Sequence, residues 1–234
     1  MKLITTVHIT QQAGYAATLA VATLGLLMIM HVAAEPQIGH SQADTSEFTI
    51  RQTITGETSF LVPPTDVSMS GSISGITGGQ ATGSSQFVVQ TNNATGYRVD
   101  IAFAGSPTAM VGDVSGSIAL RNYGNDVGGQ PSRGYTASTT AAQFAYTVTS
   151  SSTLDTDDSF LQNGTTCNAA LGDSAVACWK APSTAPFTIA DRNSSAVNGA
   201  TTTVTFNVTV PNGAVPVPEA ETYTATATLS LFTL

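Results

Sequence analysis

From Phe48 onward, apolar and polar residues alternate with a period of two. In YRVDIAF, Tyr97, Val99, Ile101 and Phe103 fall on one face, and Arg98 and Asp100 on the other. FTIRQTIT sets Phe48, Ile50 and Ile54 against Thr49, Arg51 and Thr53. FAYTVT offers Phe144, Tyr146 and Val148, and TVTFNVTV offers Val204, Phe206, Val208 and Val210. Successive strand side chains point to opposite faces of a sheet, so strict alternation predicts sheets with one buried face, the antiparallel arrangement. Shorter runs at 67–73, 86–91, 117–120 and 187–190 bring the expectation to about eight strands. In TYTATATLSLFTL (222–234), Tyr223, Ala225, Ala227, Leu229 and Leu231 share a face, and the parity breaks where Phe232 follows Leu231. A bare Thr-rich strand of this length is an aggregation hazard, so it must pair inside the sandwich or with another subunit.

Between these runs lie PPTD (63–66), TGGQATG (77–83), TNNATG (91–96), GNDVGGQPSRG (124–134) and PNGAVPVP (211–218). Gly, Asn and Pro supply the positive or fixed φ at which a chain reverses, so these segments read as turns. The predicted fold is an all-β, antiparallel, Ig-like Greek-key sandwich. It forms a single domain over 48–234, after a polar extended segment at 35–47.

Residues 1–34 have a different character. Lys2 precedes an apolar run at 19–30, and Val32 and Ala34 are the small residues of a cleavage site, the order of a secretory signal peptide. Counted from Ala13 to Met30, the same run reaches the lower edge of a membrane span, so a retained hydrophobic helix through 13–30 is the alternative. Pilin-like processing after Gly14 is the third, with Leu19 where type IV pilins carry Glu. All three export the rest of the chain.

Composition narrows the function. Charged residues make up 9% and the net charge is −8, with every carboxylate after residue 34. Such a surface repels phosphate backbones, which argues against nucleic-acid binding. The two cysteines, Cys167 and Cys178, are predicted to form one disulfide in an oxidising compartment, placing the protein outside the cytoplasm. There is no CxxC, and nothing calls for a cofactor.

Catalytic signatures fail. The histidines are His8, His31 and His40, and only His40 would outlast cleavage of the leader, so a positioned base for a Ser or Cys nucleophile is missing. GSISG (71–75) has Ile73 where a nucleophile elbow needs Ser, and Ala177 stands three residues before Lys180. DTDDSF is an acidic cluster, but an EF-hand loop would want Gly and Glu where Phe160 and Thr166 stand. The expectation is no metal, with a loose Ca²⁺ site of Asp155, Asp157 and Asp173 as the competing reading. Trp179, Tyr123 and Tyr135 could form a platform for a sugar, against core packing and a plug over the disulfide. Sequons occur at Asn93, Asn163, Asn193 and Asn207, the last on a predicted outward face. Phe48, Ile50 and Ile54 could fill a neighbour's sheet by strand addition, or be the first strand of their own sandwich.

A proline turn, an acidic residue and Tyr-Thr-x-Thr-x-Thr-Leu from Tyr223 look like the closing strand of bacterial surface families. They resemble the spore coat protein U-like pilin domains and, less closely, the WxL-type cell-wall-binding domains. SQFVVQTNNATGYRVDIAF (85–103) is similar to the first family in its order of strand, polar turn and Tyr-x-Val strand. Those pilin domains often carry Cys just before the turn. Here Thr91 stands there, and no binding or catalytic residue carries over. The combined expectation is an exported, non-catalytic structural or interaction protein, such as a filament or coat subunit, whose partners are itself, other surface proteins or glycans. The alternative is a secreted monomeric glycan- or cell-wall-binding module.

Overall fold

The computed structural model describes residues 47–105, 110–126, 128–169 and 177–234. The expected leader helix and nearly all of the 35–47 segment lie outside these residues. Thr53 to Leu234 form one compact unit, and the described residues 47–52 belong to a separate one. In chain order the described strands are β1 (Thr58–Val62), β2 (Ile73–Ser74), β3 (Gly78–Thr91), β4 (Tyr97–Phe103), β5 (Val111–Gly112), β6 (Arg121–Asn122) and β7 (Ser132–Arg133). They continue with β8 (Gln143–Ser150), β9 (Cys178–Trp179), β10 (Phe187–Arg192), β11 (Ala196–Val210), β12 (Tyr223–Thr224) and β13 (Ala227–Thr233). Two 3-10 turns, Thr153–Asp155 and Asp158–Phe160, lie between β8 and β9.

The strands form the expected sandwich. One sheet has the order β1-β3-β11-β8-β6, with β2 also on β3, and the other has the order β10-β4-β13. The long strands switch sheet at every step: β3 in the first, β4 in the second, then β8, β10, β11 and β13 in turn. All the pairings are antiparallel except β6 with β8. Alternation explains the core. Phe87 and Val89 of β3, Phe144, Tyr146 and Val148 of β8, and Val204 and Val208 of β11 are buried, as are Val99, Ile101 and Phe103 of β4. The Phe103 ring meets Tyr146 at 5.4 Å, Phe144 at 6.1 Å and Phe206 at 6.5 Å, which joins the two sheets face to face. Each such side chain contributes about 1.5–3 kcal/mol on burial.

Several expectations are corrected. Residues 48–57 lie in no described strand, and the first described strand starts at Thr58. Segment 67–72 is a strap beside β3 rather than a strand, and 117–120 gives way to β6. In TGGQATG only Thr77 is in a turn, and Gly78 to Gly83 open β3. Its glycines are there because the backbone of β11 and the strap come so close that a Cβ on Gly78 or Gly79 would strike the Val210 or Ser72 carbonyl. The closing stretch is broken between β12 and β13; Tyr223, Ala225, Leu229 and Leu231 of its predicted face pack against the core, while Ala227 is exposed.

Candidate functional site

The sandwich has one sealed flank and one open flank. On the sealed side, the segment after β9 hydrogen-bonds to β8, with Lys180 and Tyr146 exchanging backbone bonds at 2.8 and 3.0 Å. Phe160 packs between Tyr146 and Phe187, with ring separations of 6.0 and 5.9 Å. The buried Lys180 ammonium lies 4.7 Å above the Phe187 ring and 3.2 Å from Asp126 Oδ2, so its charge is paired where water is scarce.

The opposite flank is different. Among the described residues, Thr222 to Thr233 pair along one edge only, with β4 through β13 and with β5 through β12. On its other side lie β1, which packs beside β13, and the strap at 64–70, which is held to β3 by few bonds. Thr65 N–H donates to Ser85 Oγ at 3.0 Å, Ser85 Oγ donates to Thr65 O at 2.8 Å, and Ser70 and Thr82 exchange backbone bonds. Between strap and strand lies a cleft of about 630 Å³ that reaches the core, lined by Phe87, Phe103, Val204, Phe206, Ala227 and Leu229. A second cleft of about 620 Å³ shares Met69, Met110 and Tyr223 with it and runs on past Ala81, Val208 and Val210. These inner-face residues have no full strand of the smaller sheet opposite them. Val67 fills part of the gap, and it fits because Gly83 beneath it has no Cβ.

A carboxylate stands at the far end. Glu221 accepts from Val114 N–H at 2.7 Å, from Ser115 N–H at 3.1 Å and from the Ser115 hydroxyl, and it lies against Gly112. The Ser115 hydroxyl foremost, then the two backbone amides, hold its carboxyl below the usual carboxylate range.

The other candidates have structural surroundings. Cys167 and Cys178 form the expected disulfide, with Cα atoms 5.9 Å apart. Tyr123, Tyr135 and Trp179 do come together, with Tyr135 stacked on Tyr123 at 5.1 Å and edge-on to Trp179 at 5.2 Å. However, Tyr123 and Trp179 are buried around Ala145, and Tyr135 is half-buried. A sugar platform needs exposed faces, and this cluster is a small second core on the outer side of the larger sheet. Asn207, opposite Ala145, does lie on the outer face of the larger sheet, but it is buried there and accepts from Gln80 Nε2 at 2.8 Å, so its side chain is not accessible to a glycan.

Asp155 accepts from Arg192 Nη1 at 2.7 Å and is 2% exposed, while Asp157 caps the second 3-10 turn by accepting from Ser159 N–H at 3.0 Å. Asp173 lies outside the described residues. Among the described residues, no three His, Cys, Asp or Glu side chains converge on a common point. Burial, followed by the carboxylate of Asp157, raises the pKa of Asp191 in the same region. Phe48, Ile50 and Ile54 are 82%, 83% and 82% exposed.

Sequence reasoning missed the cleft. Its strap residues Val67 and Met69 carried a weak strand signal, but whether a flank is open depends on which strands pair, and alternation does not say. No family model matches the chain, and no curated protein or solved structure is matched by it.

Proposed function

We propose that this protein is an exported, non-catalytic building unit that associates with further copies of itself by strand addition. The observation that carries this reading is the alternating segment 48–54. It holds three large apolar side chains on one face at strand spacing, each more than four-fifths exposed. An isolated exposed apolar residue needs no explanation, but three at strand spacing form a binding stripe. The disulfide supports an oxidising compartment.

The test is light scattering of the purified full chain over a range of concentrations, beside a variant with Phe48, Ile50 and Ile54 all replaced by Ser. The parent is expected to form concentration-dependent multimers, and the variant to lose at least tenfold in association. Equal association of the two proteins would sink the reading.

A further inference from the structure

We propose that Lys180 and Asp126 condense into a side-chain amide, a second covalent tie within the sandwich beside the disulfide. The proposal is independent of strand addition and concerns the sealed flank alone.

The setting of the pair motivates it. Lys180 is the only lysine after Lys2, and it is 3% exposed. Its Nζ lies 3.2 Å from Asp126 Oδ2, and among the described residues no other carboxylate is within ion-pair distance of it. The Phe187 ring stands 4.7 Å from Nζ. The Tyr146 phenol is pushed up by burial first and then by the Asp126 carboxylate, so it too belongs to this water-poor site. Holding two charges away from water carries a desolvation cost, and a neutral amide in their place removes both.

Both partners are held in position. Lys180 exchanges backbone hydrogen bonds with Tyr146 of β8. Asn122 Nδ2 donates to Pro182 O at 3.0 Å, which fixes the start of the Asp126 loop against the segment that carries Lys180. Asn125 Nδ2 donates to Thr136 O at 3.0 Å and closes that loop on itself. Asp126 Cγ is one bond beyond the Oδ2 contact, so a turn of the carboxylate brings it to the roughly 3–3.5 Å of a near-attack arrangement. Groups fixed in this way react as if at concentrations on the order of 10⁵ M or more, which lets an amide form that free groups in water would not.

The step balances without a co-reactant. One proton passes from Nζ to Oδ2 along the hydrogen bond, leaving an amine and a carboxylic acid. The Nζ lone pair forms a bond to Cγ, the Cγ–Oδ2 bond breaks, and the oxygen leaves as water with a second proton from Nζ. The net charge of the chain is unchanged, and burial keeps water from the new bond. The tie spans a sequence separation of 54 and encloses the Cys167–Cys178 loop, so it holds this part of the chain together even when the disulfide is reduced.

Peptide mapping of the purified full chain tests this. After reduction and alkylation, trypsin cuts behind Arg121, Arg133, Lys180 and Arg192, and an unreacted chain gives separate peptides 122–133, 134–180 and 181–192. The amide blocks the cut behind Lys180. Most molecules should therefore give 122–133 joined to 134–192, at the summed mass less one water, with fragmentation placing the branch at Asp126 and Lys180. Lys180→Arg, which keeps the positive charge, and Asp126→Ala should each restore separate peptides at full mass. Separate peptides from the parent would leave an ordinary ion pair and overturn the proposal. Water loss confined to 122–133 would overturn it too, because that is a cyclic imide at an aspartate rather than a bond to Lys180.

Discussion

At the residue scale, the acidic groups are the clearest case of identity without role. Asp155 was legible as part of a carboxylate cluster, but nothing in the sequence pointed to Arg192 across 37 positions. In the fold their contact ties β10 to the 3-10 turn, beneath Tyr97, whose hydroxyl is pushed up chiefly by burial and then by the Asp155 carboxylate. Removing one partner of a buried pair leaves the other uncompensated. Asp155→Ala is therefore expected to cost about 3 kcal/mol in urea unfolding. Glu221 is the opposite case, an exposed group fixed by donors. Its depressed folded pKa means that its hold on the 112–117 turn is complete above the ordinary carboxylate range and is lost as pH falls through the lower folded value. NMR titration should place the Glu221 midpoint below that of an ordinary glutamate. Glu221→Gln should speed amide exchange at Val114 and Ser115 at neutral pH.

At the element scale, alternation performed best where a strand has one face in the core. β4 was delimited to the residue, and β8 and β10 nearly so, because their inward residues are large and apolar and recur at every second position. It failed at the first half of β3, where glycines replace the pattern because neighbouring backbones approach too closely for side chains. It also failed at 48–55, which has the pattern of a strand but lies in no described strand. The disulfide element was readable from cysteine spacing alone. It joins Cys167, which bridges to Gln162, to β9, which pairs with β7. On the chain-entropy model, closing a loop across a sequence separation of 11 is worth about 3 kcal/mol. Replacing both cysteines by Ser should lower the unfolding free energy by about that amount, measured in denaturant under identical buffer conditions.

At the scale of the whole molecule, Phe48, Ile50 and Ile54 stand exposed ahead of the first described strand. The apolar stripe at 48–54 adds little burial within its own chain, so the triple Ser variant should keep the parent's midpoint and slope in urea while losing association. A drop of several degrees in its Tm would mean the stripe serves its own fold. The sequence by itself determined the class of fold, the inward faces, the closing strand's orientation and the disulfide, because each depends on residues near one another along the chain or on a count. Tertiary structure alone decided which strands are neighbours. Consecutive long strands lie in opposite sheets, so β3 meets β11 and β4 meets β13 across more than a hundred residues. Those pairings also decide which edge is left over. Periodicity tells a side chain which way to point; it does not tell a strand who stands beside it, and the open flank exists only at that second level.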